Sequence, residues 1–289
     1  MPKILLVDLS SLELRLSRTE NLPVLPQAAS AVLRLADDPN ANQREIATAI
    51  ERDPAVTAKL LRVANSAYYG AQDVTTVPRA ISFLGINCVR SIVVSSAMQQ
   101  MVSGRSSCSG FNRLEHWRHS LAVATGCRIL SRLKVPHLAE MLYCAGMLHD
   151  IGLLALERFM PEELSRALDS AKRREEVLTE VERDIYGFDH AQLGGIVVKQ
   201  WGLHAMVQDC VSFHHEPMGS EQYFLESCIV SLSNSIAHQA GFTNNQVEGS
   251  HEITDDIAMV VGLPTAQYAI IQQVVSEEVG RAEEAFKIA

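Results

Sequence analysis

What most constrains this chain is its helical periodicity. Apolar residues return every three to four positions almost throughout, and strand-like alternation is nearly absent. Start and stop signals punctuate that pattern at short intervals. Pro26 to Leu35 reads as one helix, stopped by Asp37-Asp38-Pro39. Asn42 followed by Glu45 forms a capping box that opens a helix to about Arg52. Asp53-Pro54 restarts the chain at once, with aspartate as N-cap and proline at the first helical position, where its missing N–H costs nothing. That helix turns Val56, Leu60, Leu61 and Ala64 inward. Helices at Pro78–Leu84 and Asn87–Met101 continue the pattern.

Val102 to Ser107 is a small polar break and the best candidate boundary. Beyond it, helices are expected at about 111–133, 137–157, 161–184, 189–200, 204–215 and 222–240. A polar loop at 241–250 leads into a helical tail at about 252–286. The fold class expected is therefore all-α: a multi-helix bundle with an N-terminal extension at 1–21, an N-terminal helical lobe at 22–101, a second helical lobe at 111–240 and a C-terminal tail at 241–289. Within the extension, Lys3–Val7 has the composition of a short strand, but the residues after it are too helical to complete a sheet.

Composition narrows the function. The 289 residues are 47% hydrophobic and 20% charged, the balance of a folded globular protein. A net charge of −9 repels a phosphate backbone and speaks against general nucleic-acid binding. Six cysteines occur without a CxxC pair, mostly inside apolar stretches, which suits buried free thiols in a reducing compartment. The N-terminus is charged too soon for a signal peptide, and the longest apolar run, Met141–Leu156, is interrupted by His149-Asp150. The expectation is a cytoplasmic protein with no membrane span.

That interruption carries the chemistry. An imidazole and a carboxylate sit side by side in Gly146-Met147-Leu148-His149-Asp150-Ile151-Gly152, where the flanks call for burial. A buried carboxylate needs a metal, a cation or hydrogen bonds. Further imidazoles stand at His119, in Trp117-Arg118-His119-Ser120, at His190, in Gly187-Phe188-Asp189-His190, and at His214-His215. Imidazole and carboxylate donors in such number suit Zn, Fe, Mn or Ni. His137, His204 and His238 read as hydrogen-bonded packing, and His116, one turn before His119, as a surface or boundary residue.

His119, His149-Asp150, His190 and His214-His215 fall in the order of the metal ligands of the HD phosphohydrolase superfamily, and the chain resembles its HDOD branch. The resemblance is carried further by Leu25-Pro26, Arg52-Asp53-Pro54, the run from Leu60 to Tyr69, Ala80-Ile81-Ser82-Phe83-Leu84-Gly85 and Trp201-Gly202-Leu203. It covers about residues 20–240 and implies a helical fold in which His119, His149, Asp150, His190, His214 and His215 form a metal cleft. Glu182, eight residues before His190, matches an acidic position of HDOD sequences, and serves either to support that histidine or as a helix-face ion pair.

The chain also departs from its superfamily. Ser233-Asn234-Ser235 stands where a closing aspartate is expected, and asparagine offers an oxygen without a charge. Leu153 follows the doublet where cyclic-di-GMP phosphodiesterases carry a lysine, and their Gly-Tyr-Pro signature is missing after His215. Arg118 and Lys199 are the candidate replacements for the lost cation. HDOD proteins are associated with bacterial signal transduction. The resemblance therefore implies a regulatory module with a degenerate or ligand-binding cleft, whose partner is a signalling protein or a small nucleotide-like ligand. The alternative is a metal-dependent hydrolase acting on a nucleotide or other phosphoester.

A third reading, DNA binding, rests on the helix–turn–helix proportions of Gln43–Ser66, with Lys59, Arg62 and Asn65 on its second helix. The few basic residues and the apolar Val56, Leu60 and Val63 favour a packing helix instead. Lys172-Arg173-Arg174-Glu175-Glu176 reads as a solvated helix face.

Overall fold

Capping residues place the helices of the N-terminal stretch much as the sequence implies. In the computed structural model, residues 23–38, 41–70, 73–104, 106–244 and 254–286 are described, and among them every regular element is helical. The strand-like stub at Lys3–Val7 lies outside the described residues. Helix α1 spans Gln27–Asp37, α2 Gln43–Glu51 and α3 Pro54–Ala64. The Asn42–Glu45 capping box opens α2, and the Asp53 carboxylate accepts from the amides of Ala55 and Val56 to open α3. Helices α4 (Val77–Leu84) and α5 (Ile86–Met101) meet at an angle of 117°. Gly85 makes that corner at φ 82°, a conformation closed to most side chains.

Helix α6 (Arg113–Lys134) is the long spine of the molecule, opened by Asn112. The single helix expected at 137–157 is instead a short 3₁₀ turn followed by α7 (Ala139–Leu148) and α8 (Ile151–Phe159), broken at the His149-Asp150 doublet. The stretch expected as one helix at 161–184 is likewise two, α9 (Pro161–Arg174) and α10 (Leu178–Tyr186). Glu175 ends α9 in the left-handed region at φ 55°, so the charged run 172–176 is a helix terminus and not one continuous face. Then come α11 (His190–Gln200), α12 (Ala205–Phe213) and α13 (Phe224–Gln239). The tail forms two helices, α14 (Asp255–Val261) and α15 (Tyr268–Phe286), because Gly262 turns left-handed and Pro264 comes two residues later.

One apolar core runs from Leu25 to Phe286 through both expected lobes. The apolar stretch 136–159 has the length and composition to cross a membrane, yet 83% of its most apolar 18-residue window is buried inside the fold. The helix–turn–helix reading fails on side-chain use. Lys59 donates to the Phe286 carbonyl, and Asn65 pins the following loop through the Val74 carbonyl and amide at 2.7 and 2.9 Å.

Glycines set how closely the helices around the doublet approach. A Cβ on Gly152 of α8 would lie 1.9 Å from the backbone oxygen of His190 on α11. One on Gly146 of α7 would lie 2.9 Å from Cα of Ala124 on α6, and one on Gly194 of α11 would lie 2.9 Å from Val211 of α12. These three contacts bring α6, α7, α8, α11 and α12 to a common point.

Candidate metal centre

That point is the His–Asp cluster. His119 comes from α6, the doublet from the α7–α8 break, His190 from the first position of α11, and His214-His215 from the end of α12. His119, His149 and His190 are fully buried, and Asp150 and His214 are 1% exposed. His215 is half-buried. All six residues named from the sequence converge here.

Asp150 is the hub. Its Oδ1 lies 3.2 Å from His190 Nε2 and 3.3 Å from His214 Nε2. Its Oδ2 lies 3.3 Å from His149 Nε2 and 3.7 Å from His119 Nε2. Two overlapping donor sets result, Asp150 with His190, His214 and His215, and Asp150 with His119 and His149.

The opposite ring nitrogens explain the orientation. His119 Nδ1 donates to the Phe242 carbonyl at 2.6 Å, His149 Nδ1 to the Gly146 carbonyl at 2.8 Å and His214 Nδ1 to the Val211 carbonyl at 2.8 Å. A carbonyl oxygen only accepts, so each Nδ1 carries a hydrogen and each ring turns its Nε2 towards Asp150. His190 is held by Glu182, whose Oε2 accepts from its Nδ1 at 2.7 Å and from its backbone N–H at 2.9 Å. Histidines that bind metals are oriented by such contacts on the far nitrogen.

Nitrogen lone pairs aimed at a carboxylate, and at each other, are repulsive unless a cation lies between them. His119 and His149 approach Nε2 to Nε2 at 3.2 Å, and His190 and His215 at 2.9 Å. Asp150 Oδ1 and His214 Nε2 are buried with no hydrogen-bond partner among the described residues, despite their proximity. Protons could relieve some of this, but burial lowers His119 to about 3 and also lowers His214, which keeps both rings neutral. Burial alone would raise the Asp150 carboxyl, but the neighbouring imidazoles, His149 foremost, hold it well below the usual range. His190 goes the other way: burial opposes its charge, and the Glu182 and Asp150 carboxylates override it. The donor set fits a borderline transition metal, with nitrogen and carboxylate oxygen ligands for Zn, Fe, Mn or Ni.

One residue read otherwise in the sequence and one it passed over belong to this centre. His116 is fully buried and not a boundary residue; its Nδ1 donates to Asn244 Oδ1 at 3.2 Å. Asn244, which the sequence did not single out, in turn donates from Nδ2 to Asp150 Oδ2. It sits in the left-handed region at φ 46°, a conformation asparagine tolerates better than most residues. A polar loop after a helix gave little signal of this. Glu182 is buried against His190, so it supports the histidine and is not a surface ion pair. His238 packs against His119 with the rings tilted and 4.7 Å between centroids, and Asn234 lies buried one turn before it. His204 caps α12 through the Met206 amide, and His137 is exposed.

The candidate replacement cations lie elsewhere. Arg118 pairs with Glu283 of α15. Lys199 is exposed and nine residues beyond His190, about 13 Å along α11. Leu153, in the place of the expected lysine, is buried.

A family model for the HDOD domain matches residues 22–217, the stretch that supplies all six donors. The chain belongs to the HDOD family. Among solved structures, this HDOD fold is similar to an HDOD domain protein of unknown function from Geobacter sulfurreducens. The TM-score is 0.73 at 21% identity, covering 96% of this chain and 95% of that one. It is also similar to a protein from Shewanella amazonensis SB2B that carries a provisional phosphohydrolase name, with TM-score 0.72 and 23% identity over 96% and 98% of the two chains. At these identities the likeness speaks to fold alone. A curated relative, an uncharacterized protein of Treponema pallidum (strain Nichols), is 25% identical over 216 residues, 71% of this chain. The HDOD chain spans 40% of that relative's length.

Proposed function

We propose that this HDOD protein is a signal-transduction module whose His–Asp cluster holds a divalent transition metal as a fixed centre, and which acts through a protein partner or small ligand without turnover. The observation that carries this reading is the sealing of the cluster. Five of its six donors are at most 1% exposed, and the Asn244 amide occupies Asp150 Oδ2. A catalytic metal site keeps an open position for water and substrate, whereas a structural one is closed. The arginine beside the donors, Arg183, is taken up by two carboxylates, Asp189 and Glu216, and Leu153 puts an apolar side chain where a cation would serve.

His119, His149, Asp150, His190, His214 and His215 would hold the metal, with Glu182 and the three backbone carbonyls fixing the rings. Bound there, a metal would supply positive charge to offset the converging lone pairs and would lower the pKa of any water that reached it. Asn244 holds Asp150 through Oδ2 and is itself held by His116.

A second reading, a hydrolase of a nucleotide or other phosphoester, is favoured by one observation. The two donor sets share Asp150, an arrangement that suits two adjacent metals and in-line phosphoryl transfer. Metal content of the purified protein, followed by turnover of phosphodiesters with metal supplied, separates the readings. Bound metal without turnover supports the module. Turnover that is lost in Asp150→Ala supports the hydrolase.

A further inference from the structure

We propose that the groove between the N-terminal helices and α6 is a binding site for a mononucleotide-class ligand, an organic phosphate with a planar ring. This rests on the regulatory reading above and names where its small-molecule signal would enter. The groove has a volume of about 1240 Å³, far larger than a single ion needs and ample for a nucleotide. It lies apart from the metal centre, and none of the six donors lines it.

Its walls use sequence segments that the metal centre leaves unexplained. Ser66, Ala67, Tyr68 and Tyr69, at the end of the run that carries much of the HDOD resemblance, form one side. The sharp corner at Leu84, Gly85 and Ile86 forms another. The floor is one face of α6, where Thr125, Arg128, Ile129 and Arg132 fall at helical spacing. Glu278, Arg281 and Glu284 of α15 stand on the far rim.

Arg128 is the decisive group. It is 7% exposed, stacked 3.8 Å from the Tyr143 ring centroid and paired with Glu140 at 2.7 Å. Its Nη1 lies 3.5 Å from the hydroxyl of Tyr68 on the groove wall, and its Nε is buried without a hydrogen-bond partner among the described residues, so a small shift of the side chain would free a donor for a groove ligand. Arg132, one turn along the same face, is exposed and enters no ion pair or hydrogen bond among the described residues. Two guanidinium groups so spaced suit the several oxygens of a phosphate. Tyr68 and Tyr69, both half-buried and edge-on to each other at 4.7 Å, offer aromatic surface for a planar ring. The rim carboxylates can accept from the amino and hydroxyl groups that a nucleotide presents and a bare anion lacks.

The placement also gives the site a route to the metal centre. The helix that carries Arg128 and Arg132 carries His119 about three turns earlier, and α7 runs from Glu140 in the groove wall to His149 in the cluster. Ligand binding would act on both ends of two helices packed side by side.

Isothermal titration calorimetry with AMP, GMP, CMP, UMP and inorganic phosphate, on the full chain at low salt, tests the proposal. At least one mononucleotide should bind tenfold or more tightly than inorganic phosphate. Arg132→Ala, an exposed position where folding is not at risk, should weaken it at least tenfold, and Tyr68→Ala should weaken it without changing the response to phosphate. Asp150→Ala should leave the affinity within twofold. Absence of binding by all four nucleotides overturns the proposal, as does phosphate binding equally well. So does binding that survives Arg132→Ala but disappears in Asp150→Ala. A chain that turns over phosphodiesters would end the regulatory reading alone, since turnover is read in Asp150→Ala and groove binding in Arg132→Ala.

Discussion

Replacing Gly152 by alanine adds one methyl group at the tightest of the described glycine positions. The new Cβ would sit 1.9 Å from the His190 carbonyl oxygen and 2.8 Å from its carbon. An ordinary carbon–oxygen contact is about 3.3 Å or more, so α8 and α11 would have to part by about 1.4 Å. Both obstructing atoms are backbone, so no side-chain rotation relieves the clash. Overpacking of this kind costs about 3 kcal/mol at the upper end of its usual range. Alanine returns about 1 kcal/mol through helix propensity, leaving a net loss of about 2 kcal/mol. For 289 residues that lowers the melting temperature by about 3 °C. The same displacement would pull His190 off Asp150, so bound metal should fall as well.

Two further alanines serve as controls. At Gly195 the obstacle is the Ser212 hydroxyl at 2.0 Å, the movable end of a side chain, so the loss should be smaller than at Gly152. At Gly280 in α15 nothing lies within 4 Å, and alanine there should stabilise by about 0.5–1 kcal/mol. Thermal unfolding monitored by circular dichroism, with metal content measured on the same samples, gives the ranking. A Gly152→Ala protein that melts at or above the wild type would refute the close-approach explanation. So would a Gly280→Ala protein that loses as much stability as Gly152→Ala.

The same geometry sets three other expectations. Asp150→Ala should abolish metal retention, measured as metal per chain by mass spectrometry, because both donor sets lose their shared carboxylate; retained stoichiometric metal would contradict the assignment. Metal-supplied protein should show little or no cyclic-di-GMP hydrolysis: the losses at Asn234 and Leu153 and of the Gly-Tyr-Pro segment each remove about 2–4 kcal/mol of transition-state stabilisation, and several turnovers per minute would overturn this. Burial lowers His116 to about 4, against 6.5 when unfolded, so the unfolded chain takes up a proton first as pH falls. Its contribution is complete above about pH 6.5 and shrinks towards pH 4, by up to about 3 kcal/mol. Melting temperatures across that window should fall less steeply in His116→Gln than in the wild type, and parallel slopes would count against it.

The sequence made the all-helical fold legible because its helix starts are written in local chemistry. Asn42 and Asp53 cap what they were expected to cap, since the bonds involved span only two or three residues. The six cluster residues could be named from the order of histidines around one doublet. What stayed hidden depends on contacts between distant segments. His149-Asp150 interrupts the apolar run without a glycine-proline stop or a capping signal of its own, so the doublet was legible as chemistry but not as a break between two helices. Glu175 ends α9 left-handed with no glycine or proline to announce it, whereas Gly262 and Pro264 in the tail did offer that signal. His116 reads as a boundary residue until Asn244, more than a hundred positions later, closes over it. Gly146, Gly152 and Gly194 mark the helix crossings, but a helical glycine reveals its crossing partner only once the helices are packed.

Lys59 grips the carbonyl of Phe286 across a separation of 227 residues, and Gln99 reaches the same oxygen at 3.1 Å. During synthesis, the surface that α15 covers must therefore wait until more than two hundred further residues have left the ribosome. Trp117, which meets Phe286 edge-on at 6.2 Å, spends that interval without its partner ring. Contacts between such distant segments form late in folding. Chains stalled before α15 would present this apolar seam to other nascent chains and to chaperones, until α15 itself arrives to close it.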